Sequence, residues 1–227
     1  MESDKIIALL PMKGHSERVP NKNLRSFNGK PLYHAIVNKL LKSKYISNIV
    51  INTDSEAIRD DIQKYFGDII IHDRPTEIIG DFVPMNEIIN YDINKIDSYF
   101  FIQTHSTNPL LKTETIDNAI EFFLKNREKY DSLFSVTKLQ TRLYWEDGKP
   151  LNHDPKKLLR TQDLPSLLEE NSNFYIFSKD SFKNSNGTRI GVTPCLYQTN
   201  QKESLDIDTI EDFEIAEAIF KINQSKV

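Results

Sequence analysis

Short apolar runs that alternate with segments amphipathic at helical spacing set the strongest limit on how this chain can fold. Alternation of this kind is typical of a parallel sheet covered by helices, because each parallel connection must cross back over the sheet. We predict strands at Ile6 to Leu10, Ile49 to Thr53, Asp68 to Ile71, Tyr99 to Gln103, Ser132 to Val136 and Asn173 to Ser178. We predict helices at Pro31 to Lys42, Glu56 to Tyr65, Thr113 to Lys125 and Thr209 to Phe220. The pattern therefore predicts an α/β fold.

Length and charge narrow the class of protein. The 227 residues fit a single domain, 1–227, and no fixed-period repeat or linker divides them. The net charge of -4 comes from 29 basic and 33 acidic residues that are scattered along the chain, which disfavours a nucleic-acid binder. No apolar run approaches the roughly 20 residues of a membrane span. The single cysteine, Cys195, excludes an internal disulfide framework and suits a reducing compartment, so we expect a cytoplasmic protein with no membrane partner.

The first predicted strand ends in a polar, cationic loop that runs from Pro11 to Asn23. In α/β proteins a loop at this position often holds phosphates, because backbone N–H groups point outward beside fixed positive charge. Here the charge comes from Lys13, Arg18 and Lys22. The spacing matches neither the Gly-x4-Gly-Lys-Ser/Thr loop nor the Gly-x-Gly-x-x-Gly fingerprint. Taken alone, the loop fits a phosphate site or an ordinary solvated connection.

Two carboxylates near the end of the chain suggest a cation site. Asp206 and Asp208 stand two apart in an extended segment, so both point to one side and can grip a divalent cation. A capping role is equally compatible with the spacing. Asp208 or Thr209 can cap the last helix, with Glu211 or Asp212 completing a capping box.

Two more side chains follow predicted strands, where α/β proteins open their ligand crevices. Arg74 precedes Pro75, which holds it extended, and its guanidinium can recognise a pyrimidine carbonyl or a phosphate there. The alternative for Arg74 is a surface salt bridge with Asp73 or Glu77. His105 lies just beyond another strand, and a structural role fits it as well as a functional one.

Five sequence blocks follow one another in a fixed order along the chain. The first block is Pro-x-Lys-Gly-x-Ser-x-x-x-Pro-x-Lys-Asn-Leu, which starts at Pro11 and is followed by Gly-Lys-Pro-Leu. The others are Arg74-Pro75 with Gly80-Asp81, Thr107 to Leu110, Glu170-Asn171 before Phe174 to Ile176, and Glu203 to Thr209. In this order the blocks resemble the acylneuraminate cytidylyltransferase family, whose enzymes make CMP-activated sialic acid and related sugars. The blocks span nearly the whole chain, which makes a chance agreement improbable.

The resemblance implies a Rossmann-like nucleotidyltransferase fold of the GT-A-like type, a three-layer sandwich around a mostly parallel sheet. Segment 138–168 contains Trp145 and few periodic apolar residues, and it is long for a connection in a compact domain. By resemblance this segment is a protruding dimerisation arm, or lid, that reaches the partner's active site. The implied assembly is a homodimer.

The resemblance also implies an activity. A hydroxyl of an acidic nine-carbon sugar attacks the α-phosphorus of CTP and expels pyrophosphate, which requires alignment and charge neutralisation more than covalent chemistry. Lys22 and Lys13 offset charge on the phosphates, and Mg²⁺ binds the pair Asp206 and Asp208, of which Asp208 is counted as catalytic. No side chain stands out as a general base.

The remaining site residues follow from the same resemblance. The nucleotide-binding set is Pro11, Met12, Lys13, Gly14, Ser16, Lys22, Asn23, Arg74 and Asp81. The substrate-binding set is His105, Thr107, Arg160, Asn171, Asn173 and Arg189. Arg160 and Arg189 are candidates to hold the sugar's carboxylate, although each could equally be a surface ion-pair partner.

Departures from the family pattern concentrate around the acceptor. Lys13 stands where relatives usually carry Arg, His105 interrupts a block that more often reads Gln-Pro-Thr-Ser-Pro-Leu-Arg, and 171–173 replaces Asn-Gly-Ala. Activation of 3-deoxy-manno-octulosonate or of a small phosphorylated acceptor is therefore an alternative, as is a non-catalytic nucleotide-binding protein. A glycosyltransferase is disfavoured because its Asp-x-Asp pair usually follows a middle strand.

Overall fold

The computed structural model describes residues 5–225. Its strands are β1 (Ile6–Leu9), β2 (Ser26–Phe27), β3 (Lys30–Pro31), β4 (Ile46–Thr53), β5 (Ile70–Asp73), β6 (Phe100–Thr104), β7 (Ser132–Leu139), β8 (Leu167–Ser178) and β9 (Pro194–Gln198). Its α-helices are α1 (Tyr33–Leu41), α2 (Glu56–Tyr65), α3 (Met85–Lys95), α4 (Thr113–Lys125), α5 (Lys179–Asn184) and α6 (Ile210–Gln224).

Seven of these strands form one sheet in the order β5-β4-β1-β6-β8-β7-β9. The strands run parallel except β8, which is antiparallel to both β6 and β7. The carboxyl ends of β1, β4 and β6 therefore share one edge, and Thr104 at the end of β6 pairs with Phe174 of β8 there. The predicted α/β fold with a mostly parallel sheet is confirmed.

Alternation along the strands separates two cores. In β1, Ile6 and Ala8 face one core cluster that includes residues of α1, α2 and α4, whereas Ile7 and Leu9 face another that includes residues of α3 and α5. A third cluster joins Phe27 and Ile207 to Phe213 of α6 and to Val19 near the end of the first loop. Helices therefore cover both faces of the sheet, as expected for a three-layer sandwich.

All six predicted strands are present, and α2 and α4 begin and end where the sequence predicts. The first helix was predicted to start at Pro31, but Pro31 pairs with Ser26 in a small hairpin and the helix begins at Tyr33. Asn28 and Gly29 make the turn of that hairpin with φ of 51° and 81°. The prediction omitted α3, α5 and the half-buried edge strand β9, because none of them carries a long periodic apolar run.

Two of the sequence predictions concern the lone cysteine and contact with a membrane. The lone Cys195 is a free, half-buried thiol packed against the first core cluster, and burial raises its pKa. Between residues 5 and 225, no helix is long and apolar enough to cross a membrane.

The segment between β7 and β8 forms an arm, defined here as residues 140–166. Its base is ordered by Asn152, whose Nδ2 donates to the carbonyl oxygens of Thr141 and Pro165 at 2.7 and 3.0 Å, and whose Oδ1 accepts from the Leu143 N–H. The arm nevertheless exposes large apolar side chains, with Trp145 60% and Leu158 91% exposed. Nothing else in the described residues covers these side chains.

Candidate functional site

A cleft of about 360 Å³ opens at the edge where β1, β4 and β6 end. Its walls come from the first loop, from the loop after β5 and from the loop after β6. Most of the predicted site residues meet in this lining: Pro11, Met12, Lys13, Ser16, Lys22, Asn23, Arg74, Asp81, His105 and Thr107. The sequence blocks that are far apart in the chain are therefore brought to one cavity.

Gly14 lies behind the lining, against the start of α2. Its N–H donates to Oδ1 of Asp54 at 2.7 Å, and a Cβ at this position would lie 2.8 Å from Cβ of Ser55. Ser55 itself caps α2 by accepting from the Ile58 N–H. Gly14 was predicted to bind nucleotide, but its clearest role in this geometry is to let the first loop pack against the helix.

The first loop carries its cations in ion pairs. Lys13 Nζ lies 2.5 Å from Oδ1 of Asp81, on the opposite wall, and this hydrogen bond holds the pKa of Asp81 below its ordinary value. Arg18 Nη2 lies 2.7 Å from Oδ1 of Asp208. Both pairs join side chains that the sequence assigns to the site, and both are exposed to the cleft.

Lys22 occupies a more enclosed position. Its Nζ donates to the carbonyl oxygen of Ile207 at 2.6 Å and lies 3.8 Å from Oδ1 of Asp208. Burial lowers the pKa of this ammonium, while the charges of Asp208 and Asp206 partly oppose the shift. An ammonium held in this way is placed to meet a second anion without large movement.

The aspartate pair lies beside these cations. The carboxylate of Asp206 accepts a hydrogen bond from the side chain of Thr107 and reaches solvent. The surrounding protein nevertheless raises the pKa of Asp206, and the charge of Asp208 adds to the rise. The cap of α6 is Thr209, which forms a capping box with Asp212. Asp208 is therefore not the cap: the capping role falls to Thr209, and the cation site at Asp206 and Asp208 stays a prediction.

A cation at this pair would need further ligands. Over residues 5–225, no group of three or more His, Cys, Asp or Glu side chains could hold a metal ion. Two carboxylates alone do suit Mg²⁺, which usually keeps several waters and takes its other oxygens from phosphates. The residues thus fit a cation that arrives with a polyphosphate.

Arg74 is buried, and the alternative of a surface salt bridge with Asp73 or Glu77 is wrong. Its Nε donates to Oδ1 of Asn52 at 2.8 Å, and its Nη2 lies 3.2 Å from the carbonyl oxygen of Met12. Burial lowers the pKa of Arg74, against the charges of Asp54 and Asp92. Asp73 instead pairs with Arg59.

Behind Arg74 lies a network that sequence reasoning missed. Asn52 donates from Nδ2 to Oδ1 of the fully buried Asp92 at 2.8 Å, and Nδ1 of His72 lies 2.7 Å from the same oxygen. The acid of this network lies on α3, which was not predicted, so sequence reasoning could not place it beside β4 and β5. The network fixes the amide of Asn52 and so the direction of Arg74.

His105 and Arg189 meet through a third residue on the far side of the cleft. Nη1 of Arg189 donates to Oε1 of Gln103 at 2.5 Å, and Nε2 of Gln103 lies 3.2 Å from Nε2 of His105. The guanidinium of Arg189 also stacks 3.6 Å from the ring centre of Tyr175. Burial and the charges of Arg189 and Lys22 lower the pKa of His105 to about 3.

Three residues predicted to bind substrate lie elsewhere. Asn171 and Asn173 are buried in β8, where Asn171 Nδ2 lies 2.9 Å from Oγ1 of Thr137 and the Asn173 carbonyl accepts from Oγ1 of Thr104. The Asn171 amide thus joins β8 to β7, whereas the side-chain oxygen of Asn173 is buried without a hydrogen-bond partner. Neither lines the cleft, so the predicted substrate contact finds no support in this geometry. Arg160 lies on the exposed arm and pairs with Asp163 at 2.7 Å, which is the surface ion-pair alternative.

Comparison with known proteins places the cleft in context. A family model described as cytidylyltransferase matches residues 7–227. The chain is 27% identical over 235 residues to pseudaminic acid cytidylyltransferase of Campylobacter jejuni, covering 96% of this chain and 97% of that protein. It is 26% identical over 234 residues to CMP-N,N'-diacetyllegionaminic acid synthase of Legionella pneumophila, covering 97% and 98%. Among solved structures, CMP:2-keto-3-deoxy-manno-octonic acid synthetase complexed with CTP superposes with a TM-score of 0.72 at 12% identity, covering 96% of this chain and 99% of that one.

Proposed function

Since the chain belongs to the cytidylyltransferase family, we propose that this nucleotidyltransferase activates an acidic nine-carbon sugar. A hydroxyl of the sugar attacks the α-phosphorus of CTP, a P–O bond forms, and pyrophosphate leaves with the bonding electrons. The observation that carries the proposal is the junction of the cationic first loop, which lines the cleft, with the aspartate pair, whose Asp208 contacts Arg18 and Lys22 beside that lining. Relatives named for sugar acids, pseudaminic and legionaminic, support the acceptor class.

The phosphates of CTP are assigned to the cations of the first loop. Lys13, Arg18 and Lys22 line the cleft, and two of them are now paired with the carboxylates of Asp81 and Asp208. A polyphosphate carries more negative charge than either carboxylate, so it can displace them from these cations. Lys22 needs no such exchange, because its hydrogen bond is to a backbone carbonyl. We assign to Lys22 and Lys13 the neutralisation of charge that develops as pyrophosphate leaves.

Asp206 and Asp208 are proposed to hold Mg²⁺ together with phosphate oxygens. When bound, the ion supplies charge neutralisation and lowers the pKa of the attacking hydroxyl. Burial, and to a smaller extent the charge of Asp208, raises the pKa of Asp206, and a bound cation would oppose both effects. Release of Arg18 from Asp208 would free the oxygen that the ion needs.

We assign recognition of the cytosine base of CTP to Arg74 and binding of the sugar's carboxylate to Arg189. Arg74 is held rigidly by Asn52 and the Met12 carbonyl at the wall of the cleft, which suits recognition of a flat ring edge. Arg189 is partly buried and stacked on Tyr175, and among the residues described no carboxylate lies within ion-pair distance of it. The charge of Glu170 acts on Arg189 from beyond ion-pair distance, and a partly buried guanidinium whose charge is incompletely balanced favours an anionic substrate group.

A homodimer built on the arm, residues 140–166, is part of the proposal. Exposed Trp145, Tyr144 and Leu158 are unusual for a segment that faces only water, and Trp and Tyr are enriched at protein interfaces. Arg160 also lies on the arm, so its predicted contact with the sugar acid would have to be made across the dimer. The scarcity of cysteine supports a cytoplasmic location.

Pyrophosphate release tests the proposed function. Purified protein is incubated with CTP, Mg²⁺ and, in separate reactions, N-acetylneuraminate, legionaminate, pseudaminate or 3-deoxy-manno-octulosonate. We expect release with a nine-carbon acid and formation of the matching CMP-sugar. Release only with 3-deoxy-manno-octulosonate would overturn the acceptor class. Silence with all four acids, despite measurable binding of CTP, would contradict the activity.

A further inference from the structure

The amide of Gln103, at the end of β6, can adopt only one orientation. Nη1 of Arg189 lies 2.5 Å from Oε1, and a guanidinium can only donate, so this atom of Gln103 has to be the oxygen. Nε2 lies 2.8 Å from the carbonyl oxygen of Thr104, which can only accept. The contacts at the two ends of this fully buried side chain therefore indicate the same orientation of the amide.

This orientation fixes the tautomer of His105. Nε2 of Gln103 lies 3.2 Å from Nε2 of His105, and an amide nitrogen donates but does not accept. The imidazole Nε2 must then be the acceptor and carries no hydrogen. The ring is neutral with its hydrogen on Nδ1, in agreement with the burial and the two nearby cations that lower its pKa.

Nδ1 of His105 is left for a ligand. His105 lines the cleft, and among the described residues no acceptor receives a hydrogen bond from Nδ1. Nδ1 has no partner among these residues and yet is not fully buried, so solvent reaches it at the cleft. The ring lies within the field of Lys22, assigned to phosphate, and Arg189, assigned to the acid. On these two assignments, His105 lies between the nucleotide and the acceptor.

We propose that His105 is a specificity-determining hydrogen-bond donor, whose Nδ1–H is aimed at an oxygen of the acidic acceptor, and that Arg189 and Gln103 act as positioning residues that fix this tautomer. The identity of the acceptor rests on the proposed function, whereas the tautomer does not. The geometry also excludes His105 as the general base, because Gln103 occupies the only lone pair of the ring.

The tautomer is tested on the free protein by ¹⁵N NMR of histidine-labelled samples at neutral pH, with His105→Asn used to assign the signals. We expect a protonated Nδ1 and an unprotonated Nε2 for His105. Gln103→Glu should move the hydrogen to Nε2, because a carboxylate beside both Arg189 and the ring can only accept. A hydrogen on Nε2, or an imidazolium, in the unaltered protein would overturn the inference.

The donor role is tested by kinetics with the acid that supports pyrophosphate release. His105→Phe should raise the KM for the acid about tenfold, the loss of one hydrogen bond to a charged group, with little change in the KM for CTP. His105→Asn is the matched control, because its amide N–H can replace Nδ1–H, and it should restore most of the loss. An unchanged KM in His105→Phe, or equal losses in both variants, would contradict the role. If no acid supports release at all, the proposed function fails while the NMR result still decides the tautomer.

Discussion

Nη2 of Arg18 donates to Oδ1 of Asp208 at 2.7 Å, across 190 residues of sequence. The contact joins the cationic first loop to the aspartate pair that precedes α6. Lys22 approaches the same carboxylate and binds the neighbouring Ile207 carbonyl. The two motifs that define the site are therefore one charged unit, in which Arg18 and Lys22 both contact Asp208, a carboxylate that would bind the metal.

The close contact behind the first loop gives the first prediction. Gly14→Ala should lower the free energy of unfolding by about 1–3 kcal/mol and weaken CTP binding, because the added Cβ would lie 2.8 Å from Cβ of Ser55 and push the loop off α2. Urea unfolding and calorimetric titration with CTP measure the two effects. Gly67→Ala is the matched control, since nothing lies within 4 Å of its added Cβ. Equal behaviour of the two variants would contradict the packing role.

The buried network behind Arg74 gives the second. Asp92→Leu should cost about 3–5 kcal/mol of the free energy of unfolding, because it leaves donors of Asn52 and His72 without their acceptor in a buried site. CTP affinity should also fall, because the amide of Asn52 is then free to turn away from Arg74. Urea unfolding and CTP titration report both. A loss of stability with unchanged CTP affinity would mean that Asp92 does not act through Arg74.

The capping box of α6 gives a pH-dependent prediction. A hydrogen bond from Thr209 lowers the pKa of Asp212 below 3.8, so its stabilising effect is present above that pH and is lost as the pH falls through the lowered value. Asp212→Asn should cost a few tenths of a kcal/mol at pH 7, because the group is largely exposed. The difference from the unaltered protein should shrink progressively as the pH falls below 3.8. Urea midpoints that differ by the same amount at pH 7 and throughout the acidic range would be inconsistent with this linkage.

The arm gives the fourth. If residues 140–166 form the dimer interface, Trp145→Ser should weaken dimerisation about 30-fold or more, as expected for a buried interfacial tryptophan. Sedimentation equilibrium measures the dissociation constant. Phe82→Ser removes an aromatic side chain that is also exposed but lies outside the arm, and it should change nothing. A protein that is monomeric at all accessible concentrations would exclude the proposed homodimer.

Six of the seven strands of the main sheet were predictable because they are apolar runs, and an apolar run is a local signal. The same holds for α2 and α4, whose bounds are those predicted. The helix α3 escaped because its residues are mostly polar outside Ile88, Ile89 and Ile93, and its acid Asp92 faces inward. A buried acid is uncommon enough that no local pattern indicates it.

The cleft was predictable through its motifs, and the details around the acceptor were not. Lys13, Lys22 and Arg74 line the cavity as expected. Asn173 does not, because Thr104, which is distant in sequence, binds its carbonyl at 2.7 Å and the strand pairing buries it. The direction of an individual side chain depends on such tertiary contacts, which sequence spacing does not contain.

The central claim is tested most directly by measuring pyrophosphate release by the Lys22→Ala variant. The reaction contains CTP, Mg²⁺ and the sugar acid that the unaltered protein uses as substrate. Lys22 is the enclosed cation of the cleft, so its loss should reduce turnover by about 100-fold or more while the thermal midpoint stays close to that of the unaltered protein. Lys30→Ala is the control, because Lys30 is exposed on β3 and does not line this cleft. Turnover that Lys22→Ala leaves within a few-fold of the unaltered protein would contradict nucleotidyl transfer in this cleft.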